Sequence, residues 1–386
     1  MPENSDVAQF VQSLPLIDHH VHGTLLPRLS QPEFESFLTE SAEPIPAWMT
    51  QFDSQIGFAV RRYCAPLLGL PAHADADSYW QARTALSPHE VARALLESCG
   101  ISDSIIDSGV IDTGLGERSL TNLEEFAALS GQTVHEVVRL ESLLENIALS
   151  GIDADGLEDA FDAALEKATA TAVGFKSIIA YRFGFDFNPA RPTSEEIRKA
   201  AASWLSSAAG GPLRLTDPVL LRAVLWKGVS TGLPVQLHAG YGDADLDLAR
   251  CNPLLLMEWL KLLPEDSSDV ILLHCYPFHR EAGYLAQVFT KVFFDVGLAI
   301  NYTGALSHQV VAESLELAPF AKTMFSTDAW GLPELHHVGT ALWRRAMTRI
   351  LTGLVADGDW AETDAMRVAQ MVGRDNAARV YRLRNP

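Results

Sequence analysis

Five side chains scattered along the sequence have the types that hold a metal ion: His20, His22, His238, His274 and Asp328. Asp18-His19-His20-Val21-His22 ends an apolar run that begins at Leu16. On a strand, residues two apart face the same side, so His20 and His22 can present two imidazoles to one cation while His19 and Val21 face the other way. His238 closes Val235-Gln236-Leu237-His238, His274 falls near the end of Val270–Cys275, and Asp328 ends Met324-Phe325-Ser326-Thr327-Asp328. Singly, each histidine reads as a hydrogen-bonded core or loop residue. Together, at the ends of successive β-rich runs, they read as a metal site. Neutral imidazoles and a carboxylate suit Zn2+, although Mn2+ or Fe2+ accepts similar ligands.

Lys176 is the other unusual residue, lying inside the apolar run Gly174-Phe175-Lys176-Ser177-Ile178-Ile179-Ala180. A buried lysine carries a large desolvation penalty unless it is paired or neutral. Two fates are open to it. A neutral amine can take up carbon dioxide, and the carbamate could bridge two metal ions. Alternatively, the side chain snorkels to the rim and pairs with a carboxylate such as Glu141.

The elements that must position these residues alternate. Seven β-rich runs, Leu16–Val21, Val137–Leu140, Val173–Ala180, Val235–His238, Val270–Cys275, Val292–Val296 and Met324–Thr327, are joined by a weaker eighth, Ser104–Ile111. Several are apolar nearly throughout, as strands buried on both faces should be. Between them lie helix signals: the capping box Ser87-Pro88-His89-Glu90, the start at Thr193–Glu196, Asp217-Pro218, and the patterns Pro253–Leu263, Glu281–Val288 and Ser307–Leu317. The expected fold is α/β, a distorted (β/α)8 TIM barrel forming a single domain over 1–386. Residues 24–100 read as a mostly helical insertion, a lid over the barrel mouth. A doubly wound sheet would usually bring a glycine-rich first turn, and Asp18–Gly23 is histidine-rich instead. The segment after residue 345 reads as helical, to close the barrel or to form an interface, which keeps a homo-oligomer open.

Composition narrows the class. The chain has 386 residues, 48% hydrophobic and 20% charged, an ordinary globular balance. With 29 basic and 49 acidic residues its net charge is −20, so nucleic acid and anionic membranes are poor partners and a small-molecule substrate is expected. No apolar run reaches a membrane span, the first residues lack a signal-peptide pattern, and the four cysteines form no C-x-x-C pair. These features lead to the expectation of a cytoplasmic protein with reduced thiols. Two motifs are decoys. Gly228-Val229-Ser230-Thr231-Gly232 matches a nucleophile elbow but follows a helix and precedes a strand, the reverse of what the elbow needs. His135-Glu136-Val137-Val138-Arg139 has Arg where a zinc protease needs its second histidine.

The D-x-H-x-H start, His238, His274 and Asp328 resemble the metal-dependent amidohydrolase superfamily. Phe175-Lys176 with Ala180-Tyr181-Arg182, the run from Gln236 to Asp243, His274 with Tyr276-Pro277-Phe278 and Arg280–Tyr284, and Ser326-Thr327-Asp328 narrow it. They are similar to the amidohydrolase-like module that precedes a glutamine-synthetase-like domain in nodulin-type and fungal developmental proteins. The resemblance implies that His20, His22, His238 and Asp328 bind metal, with His274 a ligand of a second ion or a polarising group. Lys176 stands where hydantoinase-like members carry a carboxylated lysine, so one or two ions are open. It also implies a functional link to glutamine-synthetase-like enzymes.

Metal-activated water would then attack an amide carbonyl, with Asp328 as proton acceptor and donor and His274 stabilising the oxyanion. In so acidic a protein, Arg182 and Arg280 are the candidates to hold a substrate carboxylate, Glu141 to meet an ammonium or orient a ligand, and Tyr241 to reach the mouth. A γ-glutamyl or N-acyl amino acid amide would fit. The alternatives are a metal-dependent nonoxidative decarboxylase and a non-catalytic binding module.

Overall fold

The computed structural model describes residues 5–109, 119–207 and 213–383. Seven parallel strands run in sequence order around a curled sheet: β1 (Leu16–Val21), β2 (Ile101–Asp107), β3 (Thr133–Arg139), β4 (Gly174–Ser177), β5 (Val235–Ala239), β6 (Val270–His274) and β7 (Val292–Phe294). β1, β4, β5, β6 and β7 are buried at every residue, as their near-continuous apolar character requires of strands packed on both faces. Helices follow the strands, giving the distorted (β/α)8 barrel that the alternation predicts.

The eighth position departs from expectation. Met324–Thr327 lies between β7 and β1 but does not form a regular strand. It is held by an isolated bridge from Phe294 to Thr323 and by a few backbone bonds: Met324 N to Phe294 O (3.1 Å), His19 N to Phe325 O (3.2 Å) and Asp328 N to His20 O (3.1 Å). The Asp18 carboxylate takes over part of the ladder, accepting from Thr327 N (3.0 Å) and Thr327 Oγ1 (2.5 Å). Three other runs shift. The run at Ser104–Ile111 belongs to a strand beginning at Ile101, and its last two residues lie outside the described residues. Leu140 opens the helix Leu140–Ala148 instead of ending β3. The fourth strand stops at Ser177, because Glu141 Oε1 captures Ser177 Oγ (2.6 Å) and Ile178 N (3.1 Å), and a short helical turn, Ile179–Arg182, follows.

Local chemistry explains the helix starts. Ser87 and Glu90 form a reciprocal capping box ahead of Pro88–Glu97, and the Asp217 side chain accepts from Val219 N and Leu220 N. Ser230 caps the C-terminus of Pro218–Val229, and Gly232 adopts a left-handed φ of 81° before β5, so the elbow-like motif is a helix stop. His135 pairs with Asp103 on the neighbouring strand (3.0 Å).

Between β1 and β2 lie helices Gln31–Ser36, Gln55–Tyr63, Ala76–Ala85 and Pro88–Glu97, with short 3-10 turns. Phe34, Phe52 and Tyr79 of this region are buried in one core with the long helix Pro333–Ala356, whereas Trp48 is 83% exposed. A separate cluster fills the barrel interior: Ile17, Ile105, Val137, Ile271, Leu273, Phe293 and Met324 meet Ala377, Val380 and Tyr381. The C-terminal helical stretch Glu362–Gln370, Met371–Asp375 and Asn376–Val380 therefore plugs the barrel end opposite the strand C-termini. Among the described residues, no helix is long and apolar enough to cross a membrane.

Candidate metal centre

The residues singled out from β1, β5, β6 and the eighth segment converge at the C-terminal ends of the strands, where barrel enzymes place their chemistry. Asp328 is the hub. Its Oδ1 lies 3.2 Å from His20 Nε2 and 3.5 Å from His22 Nε2, and its Oδ2 lies 3.3 Å from His274 Nε2. The His238 ring sits 4.7 Å from the His274 ring, and His238 Nε2 is buried with no hydrogen-bond partner among the described residues. Ligand atoms of His20, His274 and Asp328 lie within 4.8 Å of one another, as do those of His20, His22 and Asp107.

Burial sets the charge states. It lowers His20 to about 3, His274 to about 4 and His238 well below the ordinary imidazole range, so all three are neutral. Burial opposes ionisation of Asp328, but the surrounding histidines hold its carboxyl well below the usual range. Lys176 is buried and its Nζ lies 3.3 Å from His20 Nε2. Burial pushes its amine down to about 8. It does not snorkel to Glu141, whose Oε1 is committed to Ser177 and Ile178.

The backbone is bent to make this arrangement. His274, Cys275 and Asp328 take left-handed φ values of 68°, 52° and 50°, which non-glycine residues adopt at a cost of about 1–3 kcal/mol each. Two glycines after β5 are required by close approach. A Cβ on Gly240 would lie 2.4 Å from Tyr276 O, and one on Gly242 would lie 2.1 Å from the Tyr181 hydroxyl and 3.1 Å from His238 Nε2.

His19 departs from the simple strand alternation. The β1–β2 register shifts between Asp18 and Val21, and His19 joins the same interior network as His20. Its Nδ1 lies 3.2 Å from the Tyr381 hydroxyl and its Nε2 3.0 Å from Asp295 Oδ2.

The expected substrate residues separate. Arg182 Nη2 lies 3.3 Å from Glu145 Oε1, while its Nε and Nη1 are buried without partners among the described residues. Burial lowers its pKa. Glu141 is fully buried, and burial raises its carboxyl, whose Oε2 has no partner among the described residues. Tyr241 stacks edge-on against Tyr302 at 5.5 Å. Arg280 is not brought to the site: more than half exposed, it pairs with Glu313 and Glu316 on the outer helical layer.

Four participants lay outside the sequence-based set. Asp107 ends β2 and is clamped by Arg139 (2.5 Å), which despite burial holds its carboxyl low. Asp295 follows β7, and Gln236 lies within β5. Each is a polar residue inside an apolar run, the same signal that flagged Lys176. Glu40, carried by the segment between β1 and β2, is hydrogen-bonded to Tyr302 and raised to about 7 by burial. No sequence pattern marked it.

The chain belongs to the amidohydrolase family, whose model matches residues 149–383. Fold, site and family together define a metal-dependent hydrolase. The chain is 27% identical over 419 residues to protein fluG of Emericella nidulans, a match covering 98% of this chain and 47% of that protein. It thus spans about half the length of that curated relative. A crystal structure from Lactobacillus casei, described as a metal-dependent hydrolase, superposes with a TM-score of 0.85 at 27% identity, covering 99% of this chain and 100% of that one. Glucuronate isomerase from Caulobacter crescentus shares the fold at 15% identity and a TM-score of 0.59, over 100% of this chain and 96% of its own.

Proposed function

We propose that this enzyme hydrolyses a C–N amide bond of a small, carboxylate-bearing substrate, with γ-glutamyl amides and N-acyl amino acid amides as the substrate classes. The observation that carries the reading is the environment of His20. Its Nδ1 lies 2.8 Å from Gln236 Oε1 and must donate there, which leaves Nε2 as a bare lone pair. That lone pair faces a carboxylate oxygen at 3.2 Å, two electron-rich atoms that need a cation between them. Lys176 supplies one positive charge; the orphaned His238 Nε2 and the neighbouring His274 fit a second, a divalent ion. The donor set of imidazoles and carboxylate suits zinc first, with Mn2+ or Fe2+ as alternatives.

His20, His22, His238 and Asp328 would hold the ion, with His274, and Lys176 once neutral and carboxylated, available to a second. When bound, such an ion is a Lewis acid that brings the pKa of water to about 7 and polarises a carbonyl. The remaining roles belong to the chain. Asp328, ionised and reaching three imidazoles, accepts the proton of the attacking water and returns it to the departing amine. His274 stabilises charge developing on the carbonyl oxygen. Arg182 offers an unpartnered N–H group to a substrate carboxylate. Residues 24–100 act as the lid of a single-domain enzyme, with Glu40 as their contribution to the mouth. A γ-glutamyl amide would link this reaction to glutamine-synthetase-like enzymes, which handle the same bond.

The test is a screen of γ-glutamyl amides, N-acyl amino acids and aromatic acids with metal-reconstituted protein, reading released amine and released carbon dioxide. Amine release supports the proposal. Carbon dioxide without amine would replace it with a decarboxylase, and neither product from metal-loaded protein would leave the binding-module alternative.

A further inference from the structure

Beneath the ligand cluster, four buried side chains form a line that leads away from His20. Gln236 Nε2 donates to His19 O (2.9 Å) and to the Tyr381 hydroxyl (2.8 Å). A backbone carbonyl only accepts, so the amide end facing it must be the NH2 group, and Oε1 must face His20 Nδ1. The Tyr381 hydroxyl, having accepted from Gln236, directs its own proton to His19 Nδ1 at 3.2 Å. His19 Nε2 lies 3.0 Å from Asp295 Oδ2, an ion-pair distance without hydrogen-bond alignment. The other oxygen of Asp295 accepts from His274 N (2.9 Å) and Gly297 N (2.7 Å). The three donors of the line, His20 Nδ1, Gln236 Nε2 and the Tyr381 hydroxyl, point the same way, and the acceptor that fixes the direction is His19 O.

We infer that Tyr381, on the C-terminal segment that plugs the barrel, is a positioning residue that holds His20 in the tautomer with a bare Nε2 and thereby sets the protein's affinity for a divalent cation. The inference rests on the metal reading above. Tyr381 is not among the ligand residues; it reaches His20 Nδ1 through Gln236. Removing its hydroxyl leaves Gln236 with one acceptor in place of two and leaves His19 Nδ1 facing no proton. The amide is then held in this orientation by His19 O alone, and a turn costs one hydrogen bond in place of two. A turned amide presents NH2 to His20 Nδ1, which moves the imidazole proton to Nε2, where it occupies the position a cation needs. Partners of this kind, outside the ligand set, change metal affinity by about 10- to 100-fold.

The experiment compares wild-type protein with Tyr381→Phe, both stripped of metal. Each is titrated with Zn2+ against a competing chelator, and the histidine tautomers of the metal-free proteins are read by long-range 1H–15N NMR, with circular dichroism as the check on folding. The expected results are His20 protonated at Nδ1 in the wild type, mixed tautomers in Tyr381→Phe, and a Kd for Zn2+ raised by about 10- to 100-fold. Equal affinity in the two proteins, or a wild-type His20 protonated at Nε2, overturns the inference. Failure of the wild type to bind any divalent cation sinks the metal reading itself. The comparison of His20 tautomers in metal-free wild type and Tyr381→Phe needs no metal, so it tests the role of Tyr381 separately from the metal reading.

Discussion

Arg182 offers the sharpest test of the substrate class. One guanidinium nitrogen reaches Glu145 at 3.3 Å; two others are buried and unpartnered among the described residues. They lie on different edges of the guanidinium, so a substrate carboxylate would satisfy one of them, and a hydrogen bond to a charged group contributes about 1.5–3 kcal/mol. That corresponds to roughly 10- to 10²-fold in kcat/KM. The loss should fall mainly on KM, because the carboxylate is held equally in the ground and transition states. Arg182→Met alone leaves Glu145 without its cation, so the cleaner variant is Arg182→Met with Glu145→Gln. That pair removes both charges and keeps a side-chain oxygen to accept from Leu215 N, now 2.6 Å from Glu145 Oε1. Steady-state kinetics on a carboxylate-bearing amide and its neutral analogue would show a large loss for the first and little for the second. Equal losses, or none, would refute a carboxylate subsite at Arg182.

Three further outcomes are expected. Asp328→Asn should lower kcat by at least about 10²-fold, with an unchanged circular dichroism spectrum, because it removes the proton acceptor while preserving shape; retained turnover would assign the proton to another group. Because burial holds His20 near 3 and His274 near 4, protons should not compete with metal at these rings until well below the ordinary imidazole pKa of about 6.5. The ring NMR signals of His20 and His274 in metal-free protein should therefore not titrate from pH 7.5 to 5.5, and a titration of either ring in that range would contradict it. The Lys176 amine, brought down to about 8, is mostly neutral above that pH and free to react with carbon dioxide. 13C-bicarbonate should then give a carbamate NMR signal at pH 8.5 that is absent in Lys176→Met, and bound metal should fall from two ions per chain to one. An identical ion count in both proteins would remove the bridging carbamate.

Much of the barrel was legible because parallel strands buried on both faces leave long apolar runs, and the candidate ligands stood out as polar residues at their ends. What escaped was set by pairs distant in sequence. The eighth strand read well from Met324 to Thr327, yet Asp18 occupies part of its ladder, and no local pattern announces that competition. β4 ends early because Glu141, from another segment, takes over the backbone at Ile178. Arg280 looked like Arg182 in sequence, each just past a strand, but one falls on an outward helix beside Glu313 and Glu316 and the other in a buried turn. Asp107 and Asp295 carried the same signal as Lys176, a charge within an apolar run. Glu40 carried none, since its place at the mouth depends on how the segment between the first two strands folds back.

The weakly laddered segment between β7 and β1 makes the cylinder a ring with a clasp. On one side of that join sit His20 and His22, on the other Asp328, only 3.2–3.5 Å away. A cation shared by these side chains would rivet the two edges, so emptying the centre should loosen the seam ahead of any other part of the wall. Amide hydrogen exchange would then rise first at Phe325–Asp328, making occupancy of the centre visible as a local change in protection.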